Sequence, residues 1–258
     1  MQLQALNAFS DNYIWCATGE DGSALVVDPG QARPVLEAAS AGLRPSAILL
    51  THHHNDHVGG VAELLQRWPD LRVFAPDDAR ITTTTDVVGD GARISAAGFE
   101  LEVIAVPGHT SSHVAYFHDA PEGGSLFSGD TLFSLGCGRL FEGSPLQMHQ
   151  SLSRLAVLPA STRLYCGHEY TLSNAAFARV VEPENAALAR RTQEAKHMRD
   201  NARPTLPTTL ESELACNPFL RCGQPAVKAA VAARLGRAPL DEVEVFAELR
   251  RWKDGFSE

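Results

Sequence analysis

The stretch THHHNDHVGG, residues 51–60, places four histidines and an aspartate within six consecutive positions. Imidazole rings so close together would bring like charges together on protonation unless a bound group holds them. His52 and His54 lie two residues apart, so their side chains point to the same side of an extended segment. Asp56 and His57 follow, where the chain turns toward the next predicted helix. The stretch therefore predicts a metal site to which it contributes four donors.

Potential donors also follow other predicted strands, in each case within a few residues. His52 follows Ala47–Leu50, His109 follows Phe99–Val106, Asp130 follows Ser125–Phe127, and His168 follows Arg163–Cys166. Side chains at neighbouring strand ends can converge, and a glycine precedes the donor in three of the four cases. A tetrahedral zinc site uses at most four donors. Seven donors therefore indicate two divalent ions, about 3.5–4 Å apart, that share one carboxylate.

The first two-thirds of the chain is rich in predicted strands, which also include Ser23–Val27 and Leu71–Ala75. Helical patterns interleave with them at Pro34–Ala41, Val61–Trp68 and Ser144–Leu158. After Tyr170 the strand patterns stop. The remainder predicts helices around Glu182–Asn201, Thr209–Cys216, Pro225–Leu235 and Asp241–Lys253, with Pro204–Pro207 as a connector. We therefore predict two domains, residues 1–172 and 173–258, with the boundary near residue 172.

The composition of the 258 residues, 44% hydrophobic and 21% charged, predicts a packed globular core. The net charge of −9 argues against a broad nucleic-acid surface. The longest apolar runs are far shorter than the roughly 20 residues that cross a membrane. We see no basic start followed by an apolar block, and the five cysteines form no C-x-x-C pair. These features predict a cytoplasmic protein with reduced thiols, without membrane or nucleic-acid partners, and we expect a monomer.

The remaining histidines and the cysteines are predicted to be structural, because the proposed site has enough donors without them. These histidines are His53, His113, His118, His149 and His197. His53 points away from His52 and His54 in an extended segment. His113 is expected to brace the loop after His109, and His149 and His197 fall on predicted helices.

Residues 51–57 and three later motifs resemble the signature of the metallo-β-lactamase superfamily. The later motifs are Pro107-Gly108-His109-Thr110, Gly129-Asp130-Thr131 and Cys166-Gly167-His168-Glu169-Tyr170. Within that superfamily the chain resembles the glyoxalase II family, the hydroxyacylglutathione hydrolases, over nearly its whole length. The discriminating motifs are Phe9-Ser10-Asp11-Asn12-Tyr13, residues 136–143 (GCGRLFEG), Cys216-Asn217-Pro218-Phe219-Leu220-Arg221 and Arg250-Arg251-Trp252-Lys253-Asp254.

This resemblance implies an α/β (α+β) fold, the metallo-β-lactamase αββα sandwich, followed by a helical domain that completes a glutathione site. It implies that one metal ion is bound by His52, His54 and His109, the other by Asp56, His57 and His168, and that Asp130 bridges them. The implied substrate-binding residues are Arg139, Phe141, Tyr170, Arg250 and Lys253. Some members have tyrosine at the position of Phe141, so that hydroxyl contact is absent here. Ser112 stands where glycine is frequent.

The implied reaction is hydrolysis of an S-(2-hydroxyacyl)glutathione thioester, typically S-D-lactoylglutathione, to glutathione and the hydroxy acid. This is the second step of glutathione-dependent methylglyoxal detoxification. Asp56 and Asp130 would act with a hydroxide that bridges two divalent ions, for which zinc is favoured and iron and manganese are also suited. Arg250 and Lys253, three apart on a predicted helix, can bind one carboxylate. They can equally form a solvated basic end that complements the helix dipole.

Four other functions remain open on the sequence. A persulfide dioxygenase with a single iron would leave several of the seven donors without a role. A nuclease of the same superfamily would need an extended basic surface or an added clamp domain. Another metallo-β-lactamase-fold hydrolase is a further alternative. A non-catalytic metal module would have a coordinatively closed site.

Overall fold

The structure is a computed structural model that describes residues 2–121 and 123–256. The strands are β1 (Gln2–Ala8), β2 (Asn12–Thr18), β3 (Ser23–Val27), β4 (Arg44–Leu49), β5 (Arg72–Pro76), β6 (Asp86–Val88), β7 (Arg93–Ala96), β8 (Phe99–Ala105), β9 (Val114–His118), β10 (Ser125–Gly129), β11 (Leu132–Phe133), β12 (Gly136–Cys137), β13 (Arg163–Cys166) and β14 (Thr208–Thr209).

The helices are α1 (Ala32–Ser40), α2 (Asn55–Val58), α3 (Val61–Arg67), α4 (Pro145–Ala156), α5 (Thr171–Val181), α6 (Ala186–Asp200), α7 (Leu210–Cys216), α8 (Pro225–Leu235) and α9 (Glu242–Asp254). A 3₁₀ helix spans Pro218–Leu220. The start of α4 is fixed by a capping box, in which Ser144 accepts from the Gln147 backbone and the Gln147 side chain binds the Ser144 backbone. Where the chain is described, no helix is long and apolar enough to cross a membrane.

The described strands form two six-stranded sheets and a two-stranded hairpin of β11 and β12. The first sheet has the order β1-β2-β3-β4-β5-β6. Its first three strands pair antiparallel, and β3 to β6 run parallel. The second sheet has the order β14-β13-β10-β9-β8-β7, with antiparallel pairing from β7 through β10 and between β13 and β14. The parallel strands β3 and β4 both end at the edge from which the histidine stretch departs.

The chain divides into two compact units that are interleaved along the sequence. Unit 1 contains Met1–Ala105, Ser112–Gly129 and Tyr165–Glu169, and unit 2 contains Val106–Ser111, Asp130–Leu164 and Tyr170–Glu258. The predicted boundary near residue 172 separates consecutive segments, whereas these units alternate. The boundary therefore stays a prediction.

Strands of the first sheet in unit 1 are buried on both faces, and successive side chains point to opposite faces. Ile14, Val26 and Ile48 pack with α1 and α3 in one cluster. Residues next to them face the other sheet: the ring of Trp15 lies 5.0 Å from that of Tyr165. Tyr116 of β9 donates its hydroxyl to the backbone carbonyl oxygens of Leu50 and Phe74 at 2.9 and 3.2 Å. Two sheets with helices on an outer face form the α/β sandwich that the resemblance implies.

Unit 2 contains a buried carboxylate that fixes the hairpin of β11 and β12. Glu213 of α7 accepts hydrogen bonds from the Ser134 hydroxyl at 3.0 Å, the Leu135 backbone at 2.7 Å and the Asn217 side chain at 3.1 Å. Leu135 has a positive φ of 60°, so its turn needs such support. The Asn217 amide also donates to two backbone carbonyl oxygens of the hairpin. Helix α7 thereby holds the segment that leads to Arg139.

Most predicted elements are found close to their predicted bounds, and β3 and β13 are found as predicted. Several elements were not predicted; besides those described next, they are α2, β6, β7, β9, β11, β12 and the 3₁₀ helix. Helix α5 lies in a stretch for which no helix was expected, because its first residue follows Tyr170, which provides no side-chain cap. Strands β1 and β2 were also missed. The expectation that strands stop after Tyr170 was wrong for Thr208–Thr209, which pairs with β13.

Candidate metal centre

The histidine stretch leaves β4 in extended form and directs two imidazoles toward each other. His52 Nε2 and His54 Nδ1 are 3.1 Å apart, and the two rings are 77° from coplanar. His53 points elsewhere, with its Nδ1 3.5 Å from Asp78 Oδ2. The predicted same-side arrangement of His52 and His54 is confirmed.

A second group of donors forms where the chain turns into α2. Asp56 Oδ2 lies 3.5 Å from His57 Nε2 and 3.3 Å from His168 Nε2. These three residues qualify as a group that could hold a metal ion. His57 and His168 are buried, whereas the Asp56 side chain is 40% exposed. Unit 1 therefore presents a half-open donor group, which suits a site that must admit a further ligand.

Unit 2 contributes the remaining two predicted donors as a pair. His109 Nε2 and Asp130 Oδ2 are 3.5 Å apart, and both side chains are buried. Gly108 and Gly129, which precede them, both have positive φ, 156° and 49°. A Cβ at Gly108 would come within 2.8 Å of the Met148 Cβ atom. Glycine before these donors is therefore needed for both torsion and space, as the sequence predicts.

The spacing of these donors fits divalent ions. With bonds of about 2.0–2.1 Å, the donors of a tetrahedral site lie about 3.3–3.4 Å apart. The donor pairs measured within each unit are 3.1 to 3.5 Å apart. Imidazoles packed this closely would repel one another if they were protonated. The donor set and its spacing therefore fit a metal.

Four of the predicted ligand imidazoles have their other ring nitrogen held by a hydrogen-bonding partner. His52 Nδ1 lies 3.0 Å from the Thr51 hydroxyl, His57 Nδ1 3.0 Å from Asp28, and His168 Nδ1 2.8 Å from Asp11. His109 Nδ1 lies 2.8 Å from the Arg139 carbonyl oxygen. Such partners fix the tautomer in which Nε2 is unprotonated and can bind a metal ion, and they raise the basicity of Nε2.

Asp28, a partner that the sequence analysis missed, organises the histidine stretch. This buried carboxylate accepts from the Thr51 backbone and hydroxyl, each at 2.8 Å, as well as contacting His57. Asp28 follows β3 directly, as the donors follow their strands. The same strand-end pattern could therefore have identified it.

The five predicted substrate-binding residues all belong to unit 2. Phe141 is 61% exposed, and its ring lies 5.2 Å from that of His109. Tyr170 is 36% exposed and packs against Phe133 with ring centres 5.3 Å apart. The Arg139 side chain is 57% exposed, and its Nε donates to Asp254 at 3.3 Å.

Arg250 and Lys253, the predicted basic pair of α9, contact different groups in the structure. The Arg250 guanidinium is buried and donates to the Cys137 carbonyl oxygen and to Asp254, both at 2.9 Å. Lys253 donates to the Ser173 carbonyl oxygen at 3.1 Å. These contacts are to different groups, and the binding of a single carboxylate by both cations stays a prediction. The solvated basic end is wrong for Arg250, because its charge is inside the protein.

Residues outside the predicted donor set make structural contacts within their own units. His113 stacks on the predicted ligand His52, with ring centres 4.6 Å apart. Ser112 donates to Asp78 at 2.6 Å, and Arg80 beside Asp78 holds the pKa of that carboxyl well below its usual range. Burial raises the pKa of Cys137 to about 11, which disfavours the thiolate that metals bind.

The metallo-beta-lactamase superfamily profile matches residues 12–168, and the profile of the hydroxyacylglutathione hydrolase C-terminus matches residues 169–256. Hydroxyacylglutathione hydrolase of Xanthomonas axonopodis pv. citri (strain 306) is 62% identical over 257 residues, covering 99% of each chain. The chain belongs to the hydroxyacylglutathione hydrolases. The predicted family, superfamily and α/β sandwich are thereby confirmed.

Solved structures are also similar to this member of the hydroxyacylglutathione hydrolase family. The BLEG-1 B3 metallo-beta-lactamase aligns with a TM-score of 0.64 at 23% identity, covering 85% of this chain and 99% of that one, which supports the fold. TTHA1623, solved in a di-iron-bound form, aligns with a TM-score of 0.54 at 30% identity, covering 65% of this chain and 92% of that one.

Proposed function

We propose that this chain hydrolyses S-(2-hydroxyacyl)glutathione thioesters to glutathione and a 2-hydroxy acid, typically from S-D-lactoylglutathione, as the second step of methylglyoxal detoxification. The observation that carries the proposal is 62% identity, over the full length of both chains, to a protein named hydroxyacylglutathione hydrolase. The match extends across the metal-donor segment and the C-terminal region alike. A single-iron persulfide dioxygenase is not favoured by these relatives.

We propose that the three donor groups join into one site for two divalent ions. His52, His54 and His109 hold one ion, Asp56, His57 and His168 hold the other, and Asp130 binds both. Support comes from the spacing of donors within each unit and from the hydrogen-bonding partners that fix four of the five imidazoles. Imidazole and carboxylate donors suit zinc, iron and manganese. Zinc is the proposed occupant, and the di-iron form of TTHA1623 keeps iron as the second candidate.

When bound, the two ions supply an acidified water and an electrophile for the thioester carbonyl. The chain's own groups do the positioning. Asp56 offers a half-exposed carboxylate, and the Asn12 side chain holds its Oδ2 at 2.9 Å. This leaves Asp56 to orient the attacking water as well as to bind an ion. The departing glutathione sulfur needs no acid, because a thiol with a pKa of about 8.5 leaves readily as thiolate.

We propose that glutathione binds on unit 2 through Arg139, Phe141, Tyr170, Arg250 and Lys253. Phe141 and Tyr170 offer exposed ring surface, and Phe141 lies next to the metal donor His109. Arg139 is the most exposed cation of the set. Arg250 and Arg139 both donate to Asp254, so Arg250 helps to fix the carboxylate that holds the exposed Arg139 guanidinium. We further propose that the protein is a cytoplasmic monomer.

Lys253→Ala is expected to raise KM for lactoylglutathione about tenfold with kcat nearly unchanged. A charge-assisted hydrogen bond contributes about 1.5 kcal/mol, and a contact equal in ground and transition states changes KM alone. Arg251→Ala is the matched control, because Arg251 is a cation on the same helix that pairs with Glu248. Steady-state kinetics that give both variants the same KM would contradict a role for Lys253 in binding.

The proposed activity is tested by following loss of thioester absorbance and release of thiol from S-D-lactoylglutathione. We expect turnover by the purified protein, loss of turnover after chelation, and recovery on adding back zinc, iron or manganese. A lactoyl thioester of N-acetylcysteamine, which lacks the carboxylates of glutathione, is expected to react much more slowly. Equal rates on the two thioesters, or turnover that survives complete metal removal, would contradict the proposal.

A further inference from the structure

The segment Ser10–Tyr13 lies against two of the predicted metal ligands within unit 1. Asp11 Oδ1 is 2.8 Å from His168 Nδ1. The Asn12 side-chain nitrogen donates to Asp56 Oδ2 at 2.9 Å and is 3.3 Å from the Asp56 carbonyl oxygen. Asn12 is itself buried. One short segment therefore contacts two ligands that belong to the same donor group.

The backbone of this segment is also paired with the strand end that carries His168. The Tyr13 nitrogen donates to the Gly167 carbonyl oxygen, and the Glu169 nitrogen donates to the Asp11 carbonyl oxygen, both at 2.8 Å. The Tyr13 hydroxyl donates to Glu169 at 2.5 Å. Hydrogen bonds on both sides of His168 hold the two side chains, Asp11 and Asn12, in register with their targets.

We infer that Asp11 and Asn12 are positioning residues that set the affinity of one ion, the one held by Asp56, His57 and His168. This inference rests on the proposed two-ion site. Asp11 accepts a hydrogen bond from the Nδ1–H group of His168. This favours the tautomer in which Nε2 is unprotonated and raises the basicity of Nε2 toward the ion. Asn12 can only donate through its amide nitrogen. It therefore favours one rotamer of the half-exposed Asp56 carboxylate.

The effect is confined to one ion because the other donors have different partners. His52 is held by Thr51, and its Nε2 faces His54. His109 is held by the Arg139 carbonyl oxygen. Weakening the Ser10–Tyr13 contacts should therefore release one ion selectively. A general loss of protein stability would instead weaken the binding of both ions.

The test is a competition titration with a chelator, with metal per chain measured at each step, on the full chain and on the variants Asp11→Asn and Asn12→Ala. Mutation of such outer partners typically lowers metal affinity by 10–100-fold, and Asp11→Asn removes the negative charge next to His168 Nδ1. We expect one ion to leave at about 10–100-fold lower free chelator concentration than in the wild-type chain, with release of the other ion unchanged. Asp86→Asn is the control, because Asp86 pairs with Arg72 at the surface of the same unit.

Coincident release curves for wild type and both variants would overturn the inference, and so would equal weakening of both ions. Asp11→Asn keeps the shape of a side chain that is 36% exposed, so it decides the test if Asn12→Ala does not fold. A wild-type chain that binds a single ion would instead contradict the two-ion site of the proposed function. The two failures are therefore distinguishable.

Discussion

Asp130→Ala is expected to lower kcat/KM for S-D-lactoylglutathione by at least about 10³-fold. Asp130 is the proposed donor to both ions, and its carboxylate lies buried 3.5 Å from His109 Nε2. Metal ions contribute several kcal/mol of transition-state stabilisation, and each 1.36 kcal/mol is a factor of ten in rate. Removing the shared donor should disturb both ions at once, so metal content should fall together with turnover.

Asp200→Ala is the matched control for Asp130→Ala, because Asp200 is an exposed aspartate at the end of α6 in the same unit. It should retain wild-type kinetics and metal content. Circular dichroism and a thermal melt establish whether each variant is folded. Near-normal turnover of a folded Asp130→Ala chain with both ions bound would contradict the proposed role of Asp130.

Glu213→Ala is expected to lower the free energy of unfolding by about 3–5 kcal/mol, the usual cost of removing one partner from a buried charged network. Glu213 is fully buried, and the Ser134 hydroxyl, the Leu135 backbone and the Asn217 side chain would all lose their acceptor. Denaturant unfolding measures the change. Glu211→Ala, an exposed change on the same helix, should cost less than about 1 kcal/mol.

The pH dependence of this difference has a defined sign. Burial raises the pKa of the Glu213 carboxyl above its ordinary value of 4.5. The folded chain therefore binds more protons than the unfolded chain above that pH, and its stability falls as pH rises through the folded pKa. Glu213→Ala lacks this slope, so the stability gap between variant and wild type should be smaller at pH 8 than at pH 5. A gap that widens with pH would contradict this.

The proposed metal donors can be picked out from the sequence because four of them follow a local rule. His52, His109, Asp130 and His168 each follow an apolar strand. Strands that pair in a sheet bring their ends close together regardless of the conformation of the connecting loops. Asp11 obeys no such rule for its target, since 157 residues separate it from His168. The sequence marks it only as part of a family motif. Contacts between distant loops are set by the fold and leave no periodic trace.

The basic residues of α9 show where a helical pattern stops being informative. The spacing of Arg250 and Lys253 places them on neighbouring turns, as predicted, and α9 spans both. Burial of Arg250 against the Cys137 carbonyl oxygen depends on how the hairpin packs, which spacing does not encode. Helix α5 was missed for a related reason: its packing, through Ala175 and Ala178, stabilises a helix whose sequence lacks a side-chain cap.

Counting the metal ions bound to the purified wild-type chain by elemental analysis, in parallel with thioester hydrolysis, tests the central claim most directly. We predict about two divalent ions per chain at full activity, with activity falling as either is withdrawn. A fully active protein that carries about one ion per chain would contradict the shared site.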